Sequence, residues 1–265
     1  MIGMPLLHLR AVGSTNDLAK QLAEHGCREG TVVLSDYQTA GKGRLGRRWE
    51  APARGGLLLS VVFRPVIAAT AIHRLTMLCG LAVLDAVWGE TGMSAGLKWP
   101  NDVVCRGGKL GGILAESALV GNRVEYCVVG LGLNVNLAPS LAEAGSRGGA
   151  TSLSVQLGYP VDRMSLLRRL LSALDRRYAS LCSGWSPYTE WSDQISIEGR
   201  QVIVMDGRNR WGGTALALDP DGAMRVRLAD GRIERVTADD VVLQEEPGWH
   251  GTPTSDTMPR ACSLG

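Results

Sequence analysis

Residues 57–63, Leu-Leu-Leu-Ser-Val-Val-Phe, set the tightest limit on what this chain can become. An almost wholly apolar run without alternation predicts a strand buried on both faces, inside a sheet covered on two sides. Residues 70–91 supply cover. Ile72, Leu75, Leu78, Cys79, Ala82, Val83, Ala86 and Val87 keep helical spacing, and the segment is apolar nearly all round, so it belongs against the sheet. A chain of 265 residues has length for one large domain, or a catalytic domain with a small appendage.

Other elements follow in order. Residues 6–9 read as a short strand, and Ser14-Thr15-Asn16-Asp17 opens a helix with Leu18, Ala19, Leu22 and Ala23 on one face and Gly26 as its stop. Two readings of Ser14, Thr15 and Asn16 stand side by side: N-capping, with Ser14 and Asp17 as a variant capping box, or hydroxyls and an amide offered to a polar ligand. Residues 31–36 form a strand leading through Tyr37-Gln38-Thr39-Ala40 into a glycine-basic loop. In residues 97–104, Pro100 interrupts the ladder, giving strand, break, strand, with Asn101 and Asp102 at the break. Lys109 starts a strand whose Gly111 and Gly112 mark close approach by a ligand or another backbone. Residues 123–136 are a long strand, and 161–182 an amphipathic helix capped by Asp162, with Arg168, Arg169, Arg176 and Arg177 on its solvated face.

A composition shift follows Trp191. Five short β-rich runs between residues 199 and 244, separated by Asp206-Gly207, Asp219-Pro220-Asp221-Gly222 and Asp230-Gly231, predict a small antiparallel barrel or sandwich of SH3-like size. We therefore divide the chain into a catalytic domain at 1–195, a small β domain at 196–246 and a disordered tail at 247–265.

The loop Gly41-Lys42-Gly43-Arg44-Leu45-Gly46-Arg47-Arg48-Trp49 carries the chemistry. Its glycines let backbone approach a ligand, its four cations attract an anion, and Trp49 offers a flat face for a base. It reads as a mobile clamp over a nucleotide-like ligand, or as a solvated basic loop; the Walker A spacing is absent. A net charge of +2 is too small for bulk nucleic-acid binding, so the partner there is a small anion. The six cysteines are scattered, with no C-x-x-C pair and no histidine at metal spacing, which predicts free buried thiols and no metal site. No leader pattern opens the chain and no membrane partner is expected; the expected compartment is cytoplasmic.

Taken in order, Ser14-Thr15-Asn16, Gln38 with the 41–49 loop, Lys98-Trp99-Pro100-Asn101-Asp102, Lys109-Leu110-Gly111-Gly112-Ile113-Leu114 and Gly130-Leu131-Gly132-Leu133-Asn134-Val135-Asn136 resemble the biotin protein ligase family, biotin–[acetyl-CoA-carboxylase] ligases of the class I layout. The resemblance covers roughly residues 6–244. It implies an α+β fold, a mixed or antiparallel sheet with helices packed on it (class II aminoacyl-tRNA synthetase/biotin ligase-like), with the C-terminal part an SH3-like β-barrel. It implies that biotin is activated by Mg-ATP to biotinyl-5′-AMP and passed to a lysine of a biotin carboxyl carrier domain, of acetyl-CoA carboxylase or a related carboxylase. By motif position, Lys109 and Arg44 would be catalytic. Ser14, Thr15, Asn16, Gln38, Gly41, Lys42, Gly43, Gly111 and Gly112 would hold biotin. Arg47, Trp49, Asn101, Asp102, Lys109 and Asn134 would serve the nucleotide. Lys42 stands where many family members have Arg. Many bacterial relatives precede these motifs with a DNA-binding helix-turn-helix; here Ser14 comes almost at once, so no specific DNA binding is expected. Homodimerisation is left open.

Two competing classes remain. A lipoate ligase or acyltransferase is similar in fold, but the basic loop and Lys98-Trp99-Pro100-Asn101-Asp102 favour biotin. A nucleic-acid-binding module would need a second basic stripe, which the sequence lacks.

Overall fold

The computed structural model describes residues 1–137, 149–206, 209–237 and 241–245. The tail expected to be disordered and most of the 138–150 loop lie outside the described residues. Seven strands form one sheet: β1 (Leu6–Leu9), β2 (Val32–Ser35), β3 (Gly56–Phe63), β4 (Gly96–Lys98), β5 (Asp102–Cys105), β6 (Gly108–Val120) and β7 (Arg123–Asn134), in the order β1-β2-β3-β7-β6-β5-β4. β1 and β2 run parallel and all other neighbours antiparallel, so the sheet is mixed. β3 lies inside it with all eight residues buried, as its unbroken apolar run demands.

The two faces of the sheet carry separate cores. Helix α1 (Thr15–Glu24) lays Ala19 and Ala23 on Val33, Val62 and Val128. On the opposite side, Leu57, Leu59, Val61 and Phe63 join a larger core built with the two longest helices. These are α2 (His73–Thr91) and α4 (Arg163–Cys182); α3 (Leu153–Leu157) and α5 (Tyr188–Asp193) are short. By composition α2 is long and apolar enough to cross a membrane, but Leu75, Leu78, Ala82, Val83 and Ala86 are buried in that core. It is a core helix.

Asp162 caps α4 as expected, accepting from Met164 N at 2.8 Å. Arg177 departs from the solvated role expected for it. Because α4 packs along α2, its guanidinium meets Asp85 at 2.7 Å and Glu190 at 2.6 Å and is largely buried. Cys79, Cys105 and Cys127 are buried free thiols, and burial pushes Cys127 up to about 12.

The five C-terminal β runs each become a strand: β8 (Gln201–Asp206), β9 (Asn209–Leu218), β10 (Met224–Arg227), β11 (Ile233–Val236) and β12 (Val241–Glu245). Their order is β11-β10-β9-β8-β12, so the described pairings leave an open sheet and do not show the expected barrel closure. Val202, Val204, Leu218 and Met224 share one buried cluster with Met77 and Trp191 of the preceding helices. The turn between β9 and β10 reaches the β4–β5 break, where Trp99 Nε1 donates to Gly222 O at 2.8 Å.

Candidate active site

A cleft of about 250 Å³ opens where α1, the 41–49 loop, the β4–β5 break and the middle of β6 and β7 converge. The loop is a hairpin with its own backbone bonds. Gly43 N donates to Arg47 O at 2.7 Å and Trp49 N to Gly41 O at 2.9 Å, around a turn in which Leu45 takes φ 55°. Two cations tie it across the cleft: Lys42 pairs with Asp17 of α1, and Arg44 Nη1 donates to Asn101 Oδ1 at 3.3 Å. Beyond the loop lies a second hollow of about 590 Å³, with Thr76 and Glu116 in its wall.

At one end of the cleft the side chains are neutral, and all but the half-buried Gln38 are buried. Gln38 Oε1 accepts from Thr15 N at 2.7 Å and from Thr15 Oγ1 at 3.0 Å. Ser60, fully buried on β3, lies 2.6 Å from Asn16 Oδ1 and 2.8 Å from Thr15 Oγ1. Asn16 Nδ2 donates to Glu116 Oε2 at 2.8 Å and to Leu114 O at 3.3 Å. Both protons of the Asn16 amide are therefore committed, leaving an acceptor lone pair on Oδ1. For Gln38 the oxygen is doubly used, leaving its Nε2 donor. Ser14 sits at the N-cap position yet makes no capping bond, so the capping reading fails there and its hydroxyl is available to the cleft.

The other end is ionic. Lys109 Nζ lies 2.6 Å from Asp102 Oδ1 and 5.7 Å from the centre of the Trp49 ring. Arg44, Arg47, Arg48, Lys42 and Lys98 also line the cleft. Trp49 rests on the glycine floor: a Cβ on Gly132 would lie 2.6 Å from its Cε2, and one on Gly112 3.3 Å from its Cζ3. Its Nε1 is buried with no hydrogen-bond partner, an indole donor left for something that enters beside it. Gly130 serves the neutral end the same way, since a Cβ there would stand 2.2 Å from Asn16 Oδ1.

Of the residues expected from sequence, Ser14, Thr15, Asn16, Gln38, Lys42, Gly43, Arg44, Arg47, Trp49, Asn101, Asp102, Lys109 and Gly112 all line this cleft. Three do not. Gly41 pairs with Trp49 at the base of the hairpin and lines the second hollow instead, and a Cβ there would strike Trp49 O at 2.3 Å. Gly111 faces Leu133 on the opposite side of the sheet, because adjacent strand residues alternate. Asn134 is buried, with Nδ2 donating to Lys109 O at 3.4 Å, so it supports the strand that carries the lysine. Ser60, Glu116 and Lys20 were missed, although Ser60 is the sole polar residue in the run at 57–63.

The family described as Biotin/lipoate A/B protein ligase matches residues 9–134. The biotin–[acetyl-CoA-carboxylase] ligase of Mycobacterium tuberculosis is 38% identical over 240 residues, 87% of this chain and 85% of that one. Among solved structures, the biotin protein ligase of Aquifex aeolicus in complex with biotin and ATP is similar at a TM-score of 0.72 and 26% identity, covering 91% of this chain and 98% of that one. The biotin protein ligase of Leishmania major in complex with biotinyl-5-AMP is similar at a TM-score of 0.58 and 26% identity, covering 88% and 98%. Fold and cleft together define a protein ligase. More narrowly, the chain belongs to the biotin/lipoate A/B protein ligase family, on its biotin branch.

Proposed function

We propose that the cleft is where this enzyme, a biotin–protein ligase, activates biotin with ATP to biotinyl-5′-AMP and passes biotin to a lysine of a biotin carboxyl carrier domain. The observation that carries the reading is the polarity of the neutral end. Gln38 offers a donor and Asn16 an acceptor, matching the carbonyl and an N–H of a cyclic urea. A lipoyl dithiolane has no such pattern, which favours biotin over the lipoate reading.

In this reading the ureido ring lies against Thr15, Asn16, Gln38 and Ser14, and the apolar tail runs toward Lys109 beside the Trp49 ring that covers Gly112 and Gly132. The biotin carboxylate attacks the α-phosphorus of ATP and pyrophosphate leaves. Lys109 stands between two approaching anions and favours their meeting more than either alone. Its present partner Asp102 is a quarter exposed, so the pair can open when phosphates arrive. Arg44 and Arg47 take the phosphates, Trp49 and Asn101 the nucleoside. In the second step the acceptor amine attacks the activated carbonyl and AMP leaves with the bonding pair. We further propose that Mg²⁺ arrives on the nucleotide; Asp102, the one carboxylate among the described residues lining the cleft, would be the residue to hold it. We read residues 196–246 as an SH3-like domain, and the protein as a cytoplasmic one without specific DNA binding.

Mass spectrometry of a carrier domain incubated with the protein, biotin and Mg-ATP tests this. A mass gain on one lysine, dependent on both small molecules, is expected. Gain with lipoate and none with biotin would overturn it.

A further inference from the structure

Asn16 can present an acceptor to the cleft only while its amide points one way, and nothing in the amide itself chooses that way. Rotated by half a turn about its last torsion, it would present a donor, and a donor facing a ureido N–H repels it. The choice is made by what surrounds it. Ser60 can act as donor or acceptor and so does not decide. Leu114 O can only accept, but at 3.3 Å it holds one proton weakly. Glu116 is different: paired with Lys20 Nζ at 3.0 Å, its carboxylate can only accept, and it lies 2.8 Å from Asn16 Nδ2. On its other side Glu116 accepts from Lys20, and that bond holds the Lys20 ammonium above its ordinary value.

Resting on the biotin-ligase reading above, we propose that Glu116 is a positioning residue that fixes the hydrogen-bond polarity of the ureido end, acting through Asn16. It reaches Asn16 from β6 and from the side of the second hollow, so it shapes the cleft from behind the residue that lines it. Three elements meet in this network: Lys20 and Asn16 on α1, Ser60 on β3, Glu116 on β6. None of their spacings in sequence resembles a motif. The same logic governs metal sites, where an outer carboxylate sets the orientation of the group that binds.

The test uses the full chain, wild type and Glu116→Gln, in biotin-dependent pyrophosphate release. The probes are biotin and its two cyclic carbamate analogues, each with one ureido N–H replaced by a ring oxygen. Wild type should reject the carbamate that turns its oxygen toward Asn16 by tenfold or more in KM. Glutamine can donate as well as accept, so the Asn16 amide is freed to turn. In Glu116→Gln the KM for biotin should rise about tenfold and the discrimination should fall toward one. The KM for ATP and kcat should stay within about twofold. Lys20→Met leaves the acceptor in place on a partly exposed helix surface and should keep the discrimination. The proposal is overturned by unchanged biotin KM and discrimination in Glu116→Gln. Equal losses in kcat and in both KM values, the mark of a merely structural role, would overturn it as well, as would loss of discrimination in Lys20→Met with Glu116 intact. A wild-type protein that releases no pyrophosphate with biotin would instead overturn the ligase reading.

Discussion

At the neutral end of the cleft, Thr15, Asn16 and Ser60 are buried and, with Gln38, hold one another at 2.6–3.0 Å. At the ionic end, Lys109 is 40% exposed and paired with a carboxylate, Asp102. The difference has a thermodynamic meaning. A buried polar network is costly to break, because each lost partner leaves a desolvated group unsatisfied, so on the proposed reading the neutral end meets its ligand already formed. Exposed ion pairs are worth about 0–1 kcal/mol and are readily exchanged, so on the proposed reading the ionic end can trade Asp102 for phosphate oxygens. One end recognises; the other rearranges.

The sharpest way to break this contrast is at Lys109. If it is a mobile charge serving the reaction, Lys109→Ala should fold normally, since its ammonium is partly exposed and pairs with Asp102 beside the Trp49 face. Its adenylation rate should fall roughly a hundred- to a thousandfold, on the order of 3–4 kcal/mol of barrier. Transfer from chemically made biotinyl-5′-AMP should suffer less. Near-normal biotin-dependent pyrophosphate release would remove Lys109 from the reaction and leave Arg44 as the next candidate.

Glycines allow a matched test of the two ends. Gly130→Ala drives a methyl into Asn16, which is held by Ser60, Glu116 and Leu114 and has nowhere to go. We expect a loss of about 1–3 kcal/mol in unfolding free energy together with a raised KM for biotin. Gly132→Ala pushes instead on the Trp49 ring, at the end of a surface hairpin. Its melting temperature should stay close to wild type while the KM for ATP rises. Thermal melts and steady-state kinetics on both variants decide; equal destabilisation would erase the distinction.

Much of the ionic end was legible in sequence because its chemistry is carried by contiguous runs. Lys98-Trp99-Pro100-Asn101-Asp102 and the 41–49 loop each bring several functional side chains to one place through local turns. The ureido end was legible only in its first layer. Glu116 is 100 residues from Asn16 and meets it only because α1 packs across β2, β3 and β7, which brings its first turn within reach of β6. That register is a product of packing, which no local pattern encodes. Gly111 and Gly112 show a second limit: both interrupt the strand, but alternation lets only one face the cleft, and a register shift between Val103 and Val104 of the neighbouring strand obscures which. The central strand and α2 were plain from hydrophobic pattern alone, since burial on all sides leaves little room for another reading.

Acid provides a smaller perturbation that should reach the buried end first. Asp36 follows β2 on the way to Gln38 and is contacted by His8 at 3.2 Å, Arg54 at 3.3 Å and Arg163 at 3.1 Å. Burial pushes its carboxyl up, but hydrogen bonds from His8, Arg163 and Arg54 outweigh that and hold it below the usual carboxylate range. A carboxyl depressed on folding stabilises the protein above its unfolded pKa, and that contribution is lost as pH falls through the folded value. The wild-type melting temperature should therefore drop below about pH 4, and Asp36→Asn should flatten that part of the curve. Wild-type and variant curves that remain parallel there would show that Asp36 does not anchor this end.

The smallest expected effect is at Lys42, and it asks whether that cation belongs to the loop or to the ligand. Lys42 and Asp17 pair across the mouth of the cleft, each a little over two-fifths exposed, and the pair ties the hairpin to α1. As a latch, it should contribute no more than about 1 kcal/mol, a few-fold in the rate at which bound biotin leaves. Lys42→Met and Asp17→Asn would then speed dissociation alike, and added salt would speed the wild type toward them by screening the pair. As a ligand contact, Lys42 would release Asp17 and turn to an anion in the cleft. Lys42→Met would then exceed Asp17→Asn, and the gap would widen with biotinyl-5′-AMP, which carries a phosphate that biotin lacks. Lys42→Arg separates the cases once more, because a guanidinium could hold Asp17 through two bonds where the ammonium presents a point charge. Under the latch it should slow dissociation of both ligands equally. We expect the latch, since Lys42 leaves the loop toward α1 rather than toward Lys109, where the reacting groups converge.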